Sequence, residues 1–285
     1  MITTSRSQSF RPGVIAAALT LLALVPGSSV RAQTELLTNG AFETGDLHGW
    51  TLADQHSPAD VNNENHFSLS TPAGDTPPIH GIFFPTAANP IGGAFYAVSV
   101  SDSPGAHALL QNFTVPSGTT SLSLSFQMFV NDQSGIGPVI DPFGLDYLSG
   151  GVTDSFTGAP RDNQHARVDL LTAGSSDLST AGNDVLRNLY LGVDNPGDAT
   201  PNPYRDYTFD LTPFVIPGQS YRLRIAEVDN LSALNVGVDN VRVIANGPTA
   251  PPAVPEPGAV TMGLAVLGGI AFLGVRGRKT QIKTR

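Results

Sequence analysis

The chain has 285 residues, a formal charge of −9 and only 14% charged residues, against about 25% in an ordinary soluble domain. It contains no Cys, which excludes disulfides, zinc–thiolate sites, iron–sulfur clusters and a Cys nucleophile. Fifteen basic residues against 24 acidic ones argue against nucleic-acid binding, because affinity for phosphate needs a basic surface.

The N-terminus has the pattern of a secretory signal peptide over residues 1–32. Two arginines precede an apolar run, Val14–Val25, and the small residues of Val30-Arg31-Ala32 predict cleavage before Gln33. A membrane anchor is the alternative, but twelve residues span about 18 Å as a helix against about 30 Å of hydrocarbon core. We therefore expect the rest of the chain to be exported.

A three-part segment ends the chain. Residues 247–257 are Pro-rich and close with Pro255, Glu256 and Pro257, residues 258–275 carry no charge, and residues 276–285 hold five basic residues. A helix of 18 residues reaches about 27 Å, enough to cross a bilayer, and the basic tail should stay cytoplasmic. The sequence thus predicts an exported domain over residues 33–246, a linker, one transmembrane helix and a cytoplasmic tail.

Pro-Glu-Pro, an apolar helix and a basic cluster, in this order and behind a signal peptide, resemble the PEP-CTERM sorting signal. That family occurs in Gram-negative bacteria that make extracellular polysaccharide. The resemblance implies that an exosortase in the inner membrane recognises the tail and processes the chain near Pro255-Glu256-Pro257. The helix is then a transient anchor, and the mature protein reaches the cell envelope or the extracellular space. A plain C-terminal membrane anchor is the alternative.

The exported part is far more acidic than the whole chain. Between residues 33 and 253, seven Arg, no Lys and 23 acidic residues give a net charge of −16. Such a surface repels nucleic acid and anionic membranes and favours divalent cations. The alternative is that the acidity only keeps an exported protein soluble.

Several short runs alternate apolar and polar residues with period two, which is typical of strands with one buried face. Turns rich in Gly and Pro separate these runs, and the exported part has no amphipathic helix and no internal repeat. The pattern predicts an all-β domain, a sandwich or a barrel. Strands are expected around residues 94–100, 109–115, 121–128, 168–171 and 221–226.

Two irregular segments rich in Gly, Pro and Asp, Asp54–Asn89 and Asn131–Asp162, are predicted to be long loops. Loops of this length in a compact domain are usually functional or mobile.

The segments Leu37–Trp50 and Asn235–Val243 resemble the first and last strands of galactose-binding-like jelly rolls, a superfamily that includes carbohydrate-binding modules. The resemblance rests on Asn-Gly-x-Phe-Glu and Gly-Trp in the first segment and on Asp-Asn-Val in the second. It implies a jelly-roll-type β-sandwich. A third segment, Asn163–Leu171, looks like other PEP-CTERM ectodomains, a likeness that implies no activity.

The two terminal motifs suggest a cation site. Alternation in the last strand breaks by one residue at Asp239-Asn240, which predicts a β-bulge. Because the first and last strands of a jelly roll are neighbours, Glu43 and Asp239 could meet there. With backbone carbonyls around Ala41 they would form an oxygen cage suited to Ca²⁺, and the resemblance implies the same structural calcium. The alternative is that both acids are surface turn residues paired with Arg.

Other candidate residues are few. Trp50, the only Trp, is expected in the core, and Tyr147, Tyr190, Tyr204 and Tyr207 are the candidates for an exposed platform that stacks sugars. The six His residues have no metal-ligand spacing, and no nucleophile, phosphate or dinucleotide motif occurs.

These observations favour a non-catalytic exported protein that is sorted by exosortase and associated with extracellular polysaccharide. Two alternatives stay open. One is a glycan-binding module with a structural calcium. The other is an extracellular hydrolase, for which the sequence marks no particular pair of carboxylates.

Overall fold

The structure is a computed structural model that describes residues 31–70, 93–100, 103–132, 134–140, 144–192 and 202–249. These residues belong to one unit, Arg31–Thr249. The predicted transmembrane helix, the basic tail, the Pro255-Glu256-Pro257 motif and the signal peptide up to Val30 lie outside the described residues. Within the described ranges, no helix has both the length and the apolar character to span a bilayer.

Strands dominate the described residues, and the helical structure there is limited to two 3₁₀ turns, Ser149–Gly151 and Thr212–Phe214. The strands are β1 Arg31–Glu35, β2 Thr51–His56, β3 His66–Ser70, β4 Tyr96–Val100, β5 Gly105–Thr114, β6 Ser121–Asp132, β7 His165–Thr172, β8 Val185–Gly192, β9 Arg205–Asp210, β10 Ser220–Asp229 and β11 Leu234–Thr249.

Two antiparallel sheets form a sandwich. The first has the order β3-β4-β11-β6-β9, with β1 also paired to β11, and the second has the order β2-β5-β10-β7-β8. Consecutive strands mostly alternate between the sheets, as strands of jelly rolls do. The predicted all-β sandwich is therefore confirmed.

The five predicted strands correspond to β4, β5, β6, β7 and β10. The prediction that Asp54–Asn89 is wholly irregular is wrong, because β2 continues to His56 and β3 covers His66–Ser70. Strands β8 and β9 were not predicted. β8 is an edge strand whose pairing with β7 shifts register twice, so its sequence does not alternate cleanly.

The prediction that Leu37–Trp50 is a strand is also wrong. It is a series of turns between β1 and β2, in which the Phe42 N–H donates to the Asn39 carbonyl at 3.2 Å and the Gly45 N–H to the Phe42 carbonyl at 3.1 Å. Asn39 and Phe42 have positive φ, 52° and 57°, values that an extended strand does not allow.

The core lies between the two sheets. Alternate residues of β6, starting at Leu122, face Leu109 of β5 and Leu223 of β10, and all are almost fully buried. Trp50 joins this core, as predicted: it packs on Phe42 with ring centroids 5.6 Å apart and is 9% exposed. Its indole N–H donates to the Asn39 carbonyl at 3.1 Å, which satisfies its one polar atom.

The outer face of the second sheet is covered. Leu145 and Tyr147, from the predicted loop Asn131–Asp162, pack on Ala106, Ala108 and Val228. Beside them an ion network, buried around Asp169 and exposed at Asp177, holds the 173–184 loop to the sheet. Its members are Asp169 with Arg167 and Arg224, and Asp177 with Arg222. The part of the predicted loop Asn131–Asp162 that contains Leu145 and Tyr147 is therefore packed against the outer face of the second sheet.

Candidate functional site

The candidate site lies where β11 departs from regular pairing. Asp239 pairs with Gln127 of β6 and Arg242 pairs with Ser125, so β11 carries one extra residue between them. The bulge predicted at Asp239-Asn240 is thus confirmed, and Asn240 takes a positive φ of 52°. A bulge re-aims the neighbouring side chain.

β1 and the turns that follow it lie against the same stretch of β11. The Leu36 N–H donates to the Val243 carbonyl, and the Val241 N–H donates to the Gly40 carbonyl, both at 2.9 Å. A Cβ on Gly40 would collide with the Val241 carbonyl oxygen, so only glycine allows this approach. The contact brings the segment containing Glu43 to the bulge.

Glu43 is oriented by the backbone that enters β4. Its Oε1 accepts the N–H of Ala94 at 2.9 Å and the N–H of Phe95 at 3.1 Å, and its Oε2 lies 3.1 Å from the Ala94 nitrogen. Hydrogen bonds to a charged acceptor are the stronger kind. The Glu43 carboxylate is therefore fixed in direction although the residue is exposed.

Asp239 is 1% exposed, and its Oδ1 accepts the N–H of Asn240 at 2.6 Å. Burial and, less strongly, the charge of Glu43 raise the pKa of Asp239 to about 7, while the hydrogen bond from Asn240 opposes the rise. Two carboxylates of like sign thus face each other, and a cation between them would remove the repulsion.

Gly93 marks the space between the two carboxylates. A Cβ there would collide with Glu43 Oε1 and would lie 3.7 Å from Asp239 Oδ2. Two acidic oxygens therefore converge on one point at the backbone before β4. Neither carboxylate is paired with an Arg among the described residues, and Arg242, the nearby cation on β11, pairs with Glu35 at 3.1 Å.

Ala41 lines an open groove of about 450 Å³ together with Glu43 and Asn240. Within the described part of the chain, no group of three or more His, Cys, Asp or Glu side chains is placed to hold a metal ion. The site therefore offers two side-chain carboxylates, and further oxygen ligands would have to come from the backbone and from water. Calcium accepts such mixed oxygen ligands.

Sequence reasoning missed Tyr204 as a neighbour of this site. Its ring packs edge-on against Phe129, with centroids 4.9 Å apart, and its hydroxyl is buried without a hydrogen-bond partner among the described residues. Burial, with Tyr96 and Asp239 nearby, raises the pKa of Tyr204. The prediction that Tyr204 is an exposed platform is therefore wrong.

The other three tyrosines are not an exposed platform either. Tyr147 is 7% exposed, because it packs on the second sheet. Tyr190 and Tyr207 are half-buried and meet edge-on at 5.5 Å, where the edges of the two sheets come together. Aromatic side chains close the sandwich here.

The Asn163–Leu171 motif forms hydrogen bonds that hold the neighbouring loops in place. The Asn163 side-chain amide donates to the Gly144 carbonyl at 2.7 Å, and that of Gln164 donates to Asp132 and to the Ser232 carbonyl, both at 2.8 Å. The Arg and Asp of the motif belong to the ion network over the second sheet. This segment therefore has a structural role.

No protein-family model and no curated protein matches the sequence. Among solved structures, the chain is similar to a Stig cyclase, Fisc from Fischerella sp. TAU, with 17% identity, TM-score 0.42 and coverage of 76% of this chain and 99% of that chain. It is also similar to the module TmCBM61 in complex with β-1,4-galactotriose, with 9% identity and TM-score 0.39. This match covers 74% of this chain and 97% of that chain.

A third similar structure is the enzymatically active domain of bacteriophage CBA120 tailspike protein 4, with 12% identity and TM-score 0.38. The match covers 73% of this chain and only 21% of that one. Carbohydrate-binding modules are thus among the structures that this chain resembles. TM-scores below 0.5 transfer no residue, ligand or activity from those proteins.

Gly93→Ala tests the geometry of the site. The new methyl group must displace the Glu43 carboxylate from the N–H groups of Ala94 and Phe95, and the loss of these bonds should cost about 1–2 kcal/mol. We expect a melting temperature lower by about 2–8 °C, because 1 kcal/mol corresponds to about 2–4 °C at this size. Gly174→Ala is the control, since nothing lies within 4 Å of its Cβ position. Equal melting of the two variants would contradict the geometry.

Proposed function

We propose that the chain is a non-catalytic exported protein of a Gram-negative bacterium, sorted by exosortase to the cell envelope or the extracellular matrix. The proposal is supported by the ordered Pro255-Glu256-Pro257 motif, the apolar segment and the basic tail, together with the N-terminal signal sequence. The inner membrane is then a transient anchor, and extracellular polysaccharide is the proposed partner of the mature protein.

The ends of the sandwich are compatible with processing. Cleavage before Gln33 would remove the Arg31–Thr249 pair and would leave the pairs of Gln33, Thr34 and Glu35 with β11. At the other end, β11 extends to Thr249, three residues into the predicted linker, and stops before Pro255. After both proposed cuts, β11 would therefore be intact and still paired with the rest of β1.

We expect deletion of exosortase to leave the uncleaved chain in the inner membrane, because the tail would keep its membrane helix and its basic anchor. In the parent strain, mass spectrometry of membrane, envelope and medium should find a mature form that ends near Pro255-Glu256-Pro257. Glu256→Ala should behave like the deletion, and Glu64→Ala, far from the tail in the sequence, should be processed normally. Identical processing with and without exosortase would disprove the sorting proposal.

We further propose that Glu43 and Asp239 bind a structural Ca²⁺, with backbone carbonyls around Ala41. The observation that carries this proposal is the convergence of the two carboxylates on Gly93, beside the contact of β1 with β11. Oxygen ligands of this kind fit calcium, and weak extracellular sites of roughly 10⁻⁴–10⁻³ M are adequate at millimolar calcium. The ion would join the two ends of the domain.

Calcium should raise the melting temperature of the purified full chain. A ligand a hundredfold above its Kd stabilises the folded state by about 2.7 kcal/mol, which corresponds to about 5–10 °C. Asp239→Asn keeps the acceptor for the Asn240 N–H but removes the charge, so it should abolish the calcium response.

The matched control for Asp239→Asn is Asp162→Asn, at an exposed acid, which should keep the full response. If the unaltered chain melts at one temperature in calcium and in excess chelator, there is no such site.

The hydrolase alternative gains no support from the Asp54–His107 pair. His107 Nδ1 lies 2.8 Å from Asp54 Oδ1, an arrangement that also orients catalytic bases. However, His107 is 0% exposed, and its Nε2 lies so close to Gly105 that a Cβ on that residue would collide with it. A base that no substrate can reach performs no hydrolysis.

Glycan binding is the second candidate function, and Phe156 is the observation that favours it. Its ring is 97% exposed at a turn that Asp154 holds, because Asp154 Oδ1 accepts the N–H groups of Phe156 and Thr157 at 2.9 and 2.8 Å. An exposed aromatic ring on a turn whose backbone is held in place provides a flat apolar surface on which a sugar ring can pack.

Phe156→Ala should reduce retention of the protein on extracellular polysaccharide isolated from the producing strain, because it removes this stacking surface. A loss of about 1–3 kcal/mol, the range known for nucleobases stacked on aromatic side chains, corresponds to roughly a 5- to 150-fold weaker affinity. Val61→Ala, at another exposed apolar residue, is the control. Unchanged retention of the Phe156 variant would contradict the assignment of the surface.

A further inference from the structure

A row of ionisable side chains crosses the inner face of the second sheet. Asp54 of β2 pairs with His107 of β5, and His107 pairs with Glu227 of β10. Glu227 lies in register with Leu223 and Ile225, whose side chains belong to the core between the sheets. An acid thus occupies the next position of an apolar row.

Glu227 and His107 are both 0% exposed. Neither carboxylate oxygen of Glu227 has a hydrogen-bond partner within ordinary distance among the described residues, and the same holds for His107 Nε2. An ionised carboxylate in this position would be buried without compensation, at a cost of several kcal/mol. The neutral acid avoids that cost.

The two acids that face Glu227 reinforce its preference for the neutral form. Asp229 on its own strand and Asp54 of β2 are acids, Ala166 is its partner on β7, and the Ser99 hydroxyl faces it from β4. His107 is already paired with Asp54, and His56 packs on the His107 ring at 5.5 Å. Burial first, then Asp229 and Asp54, raises the pKa of Glu227 well above its ordinary value, against the opposing effect of Ser99.

β4 connects this group to the cation site. Ser99 lies near its end, where the hydroxyl oxygen accepts the Val236 N–H at 3.0 Å and the carbonyl accepts the side-chain amide of Asn235 at 3.1 Å. At the beginning of the same strand, the N–H groups of Ala94 and Phe95 hold Glu43. Between these ends, β4 pairs with β11 at two positions, Gly237–Val98 and Val238–Ala97.

We propose that Glu227 is held as the neutral acid between the sheets and that its ionisation loosens β4, so that the placement of Glu43 depends on a proton at the other end of this strand. The proposal adds a form of regulation to the proposed calcium site. It rests on that function only for the calcium effect, because loosening of β4 can be measured without calcium.

The direction of the pH effect follows from linkage. A carboxyl whose folded-state pKa is raised keeps its proton on folding, so its stabilising contribution is complete below the unfolded pKa, about 4.3, and is lost as pH rises through the folded value. Within this window, the equilibrium constant for opening should rise about tenfold per pH unit. Replacement of Glu227 by Gln, which keeps the shape of the neutral acid, should remove this dependence.

The experiment is hydrogen exchange of the amides of residues 94–100, followed by mass spectrometry on the full chain in chelator between pH 5 and 9. Asp239→Asn serves as the background because it removes the other carboxyl group of raised pKa among the described residues. There we expect opening of β4, corrected for intrinsic exchange, to rise about tenfold per pH unit until the folded-state pKa of Glu227 is reached. Adding Glu227→Gln should flatten this dependence, whereas adding Asp162→Asn should leave it unchanged.

Equal pH dependence with and without Glu227→Gln would overturn the proposal. So would loosening that spares the amides of Ala94 and Phe95, because Glu43 would then be unaffected. If Glu227→Gln fails to fold, infrared spectroscopy of the Asp239→Asn chain at pH 7 decides: the band of a buried protonated carboxyl is expected, and its absence overturns the proposal.

The link to calcium is measured separately. Above the pKa of Asp239, where this ligand is ionised, calcium affinity should fall as pH rises in the unaltered chain and stay constant in Glu227→Gln. A chain that binds no calcium at any pH would refute the proposed function, and the exchange result would still decide the role of Glu227. Calcium binding with equal pH dependence in both chains would overturn the link.

Discussion

The pairing of β11 with three other strands is the constraint on which the site depends. β11 pairs with β6 along most of its length, with β4 through two residues and with β1 at its C-terminal part. The extra residue at Asp239-Asn240 lies between these contacts. Buried side chains such as Val238 and Val243 fix the register on either side of the bulge. The bulge therefore cannot shift along the strand, and Asp239 is directed at the backbone before β4.

A buried acidic side chain lies near each end of β4, where burial of its charge is costly. Asp239 and Glu227 are each almost fully buried, and each has a raised pKa because burial and a neighbouring acid disfavour the charge. The two differ in surroundings. Asp239 faces another fixed carboxylate beside an open groove that a cation can enter, whereas Glu227 is enclosed between the sheets. The cost of burying a carboxylate therefore favours a cation beside Asp239 and a retained proton on Glu227.

The covered outer face of the second sheet limits where a ligand can bind. Leu145 and Tyr147 pack over it, and Arg222 and Arg224 hold the neighbouring loop through Asp177 and its backbone. Three of the seven arginines of the exported part are used in this network. A glycan would therefore not bind across the outer face of this sheet, whereas Phe156 is exposed at a loop.

Local patterns were sufficient to predict much of the fold. Alternation in Ser121–Asp132 and Ser220–Asp229 marks central strands, because one face of each must be buried in the core. The break at Asp239-Asn240 predicted the bulge for the same reason. Edge strands such as β8 were missed because burial on their faces is partial and irregular, and the turns after β1 were mistaken for a strand because backbone conformation at Asn39 and Phe42 leaves no periodic signal.

The sequence by itself determined that the chain carries export and sorting patterns, that the exported part is β-structured and acidic, and that Glu43 and Asp239 are acids in suggestive motifs. Only the tertiary structure decided that these acids converge on Gly93, that Tyr204 lies beside them and that Glu227 is enclosed opposite Ser99. The physical reason is distance along the chain. Glu43 and Asp239 are brought together by sheet pairing between the two ends of the domain, and no local pattern contains the strand order that makes them neighbours.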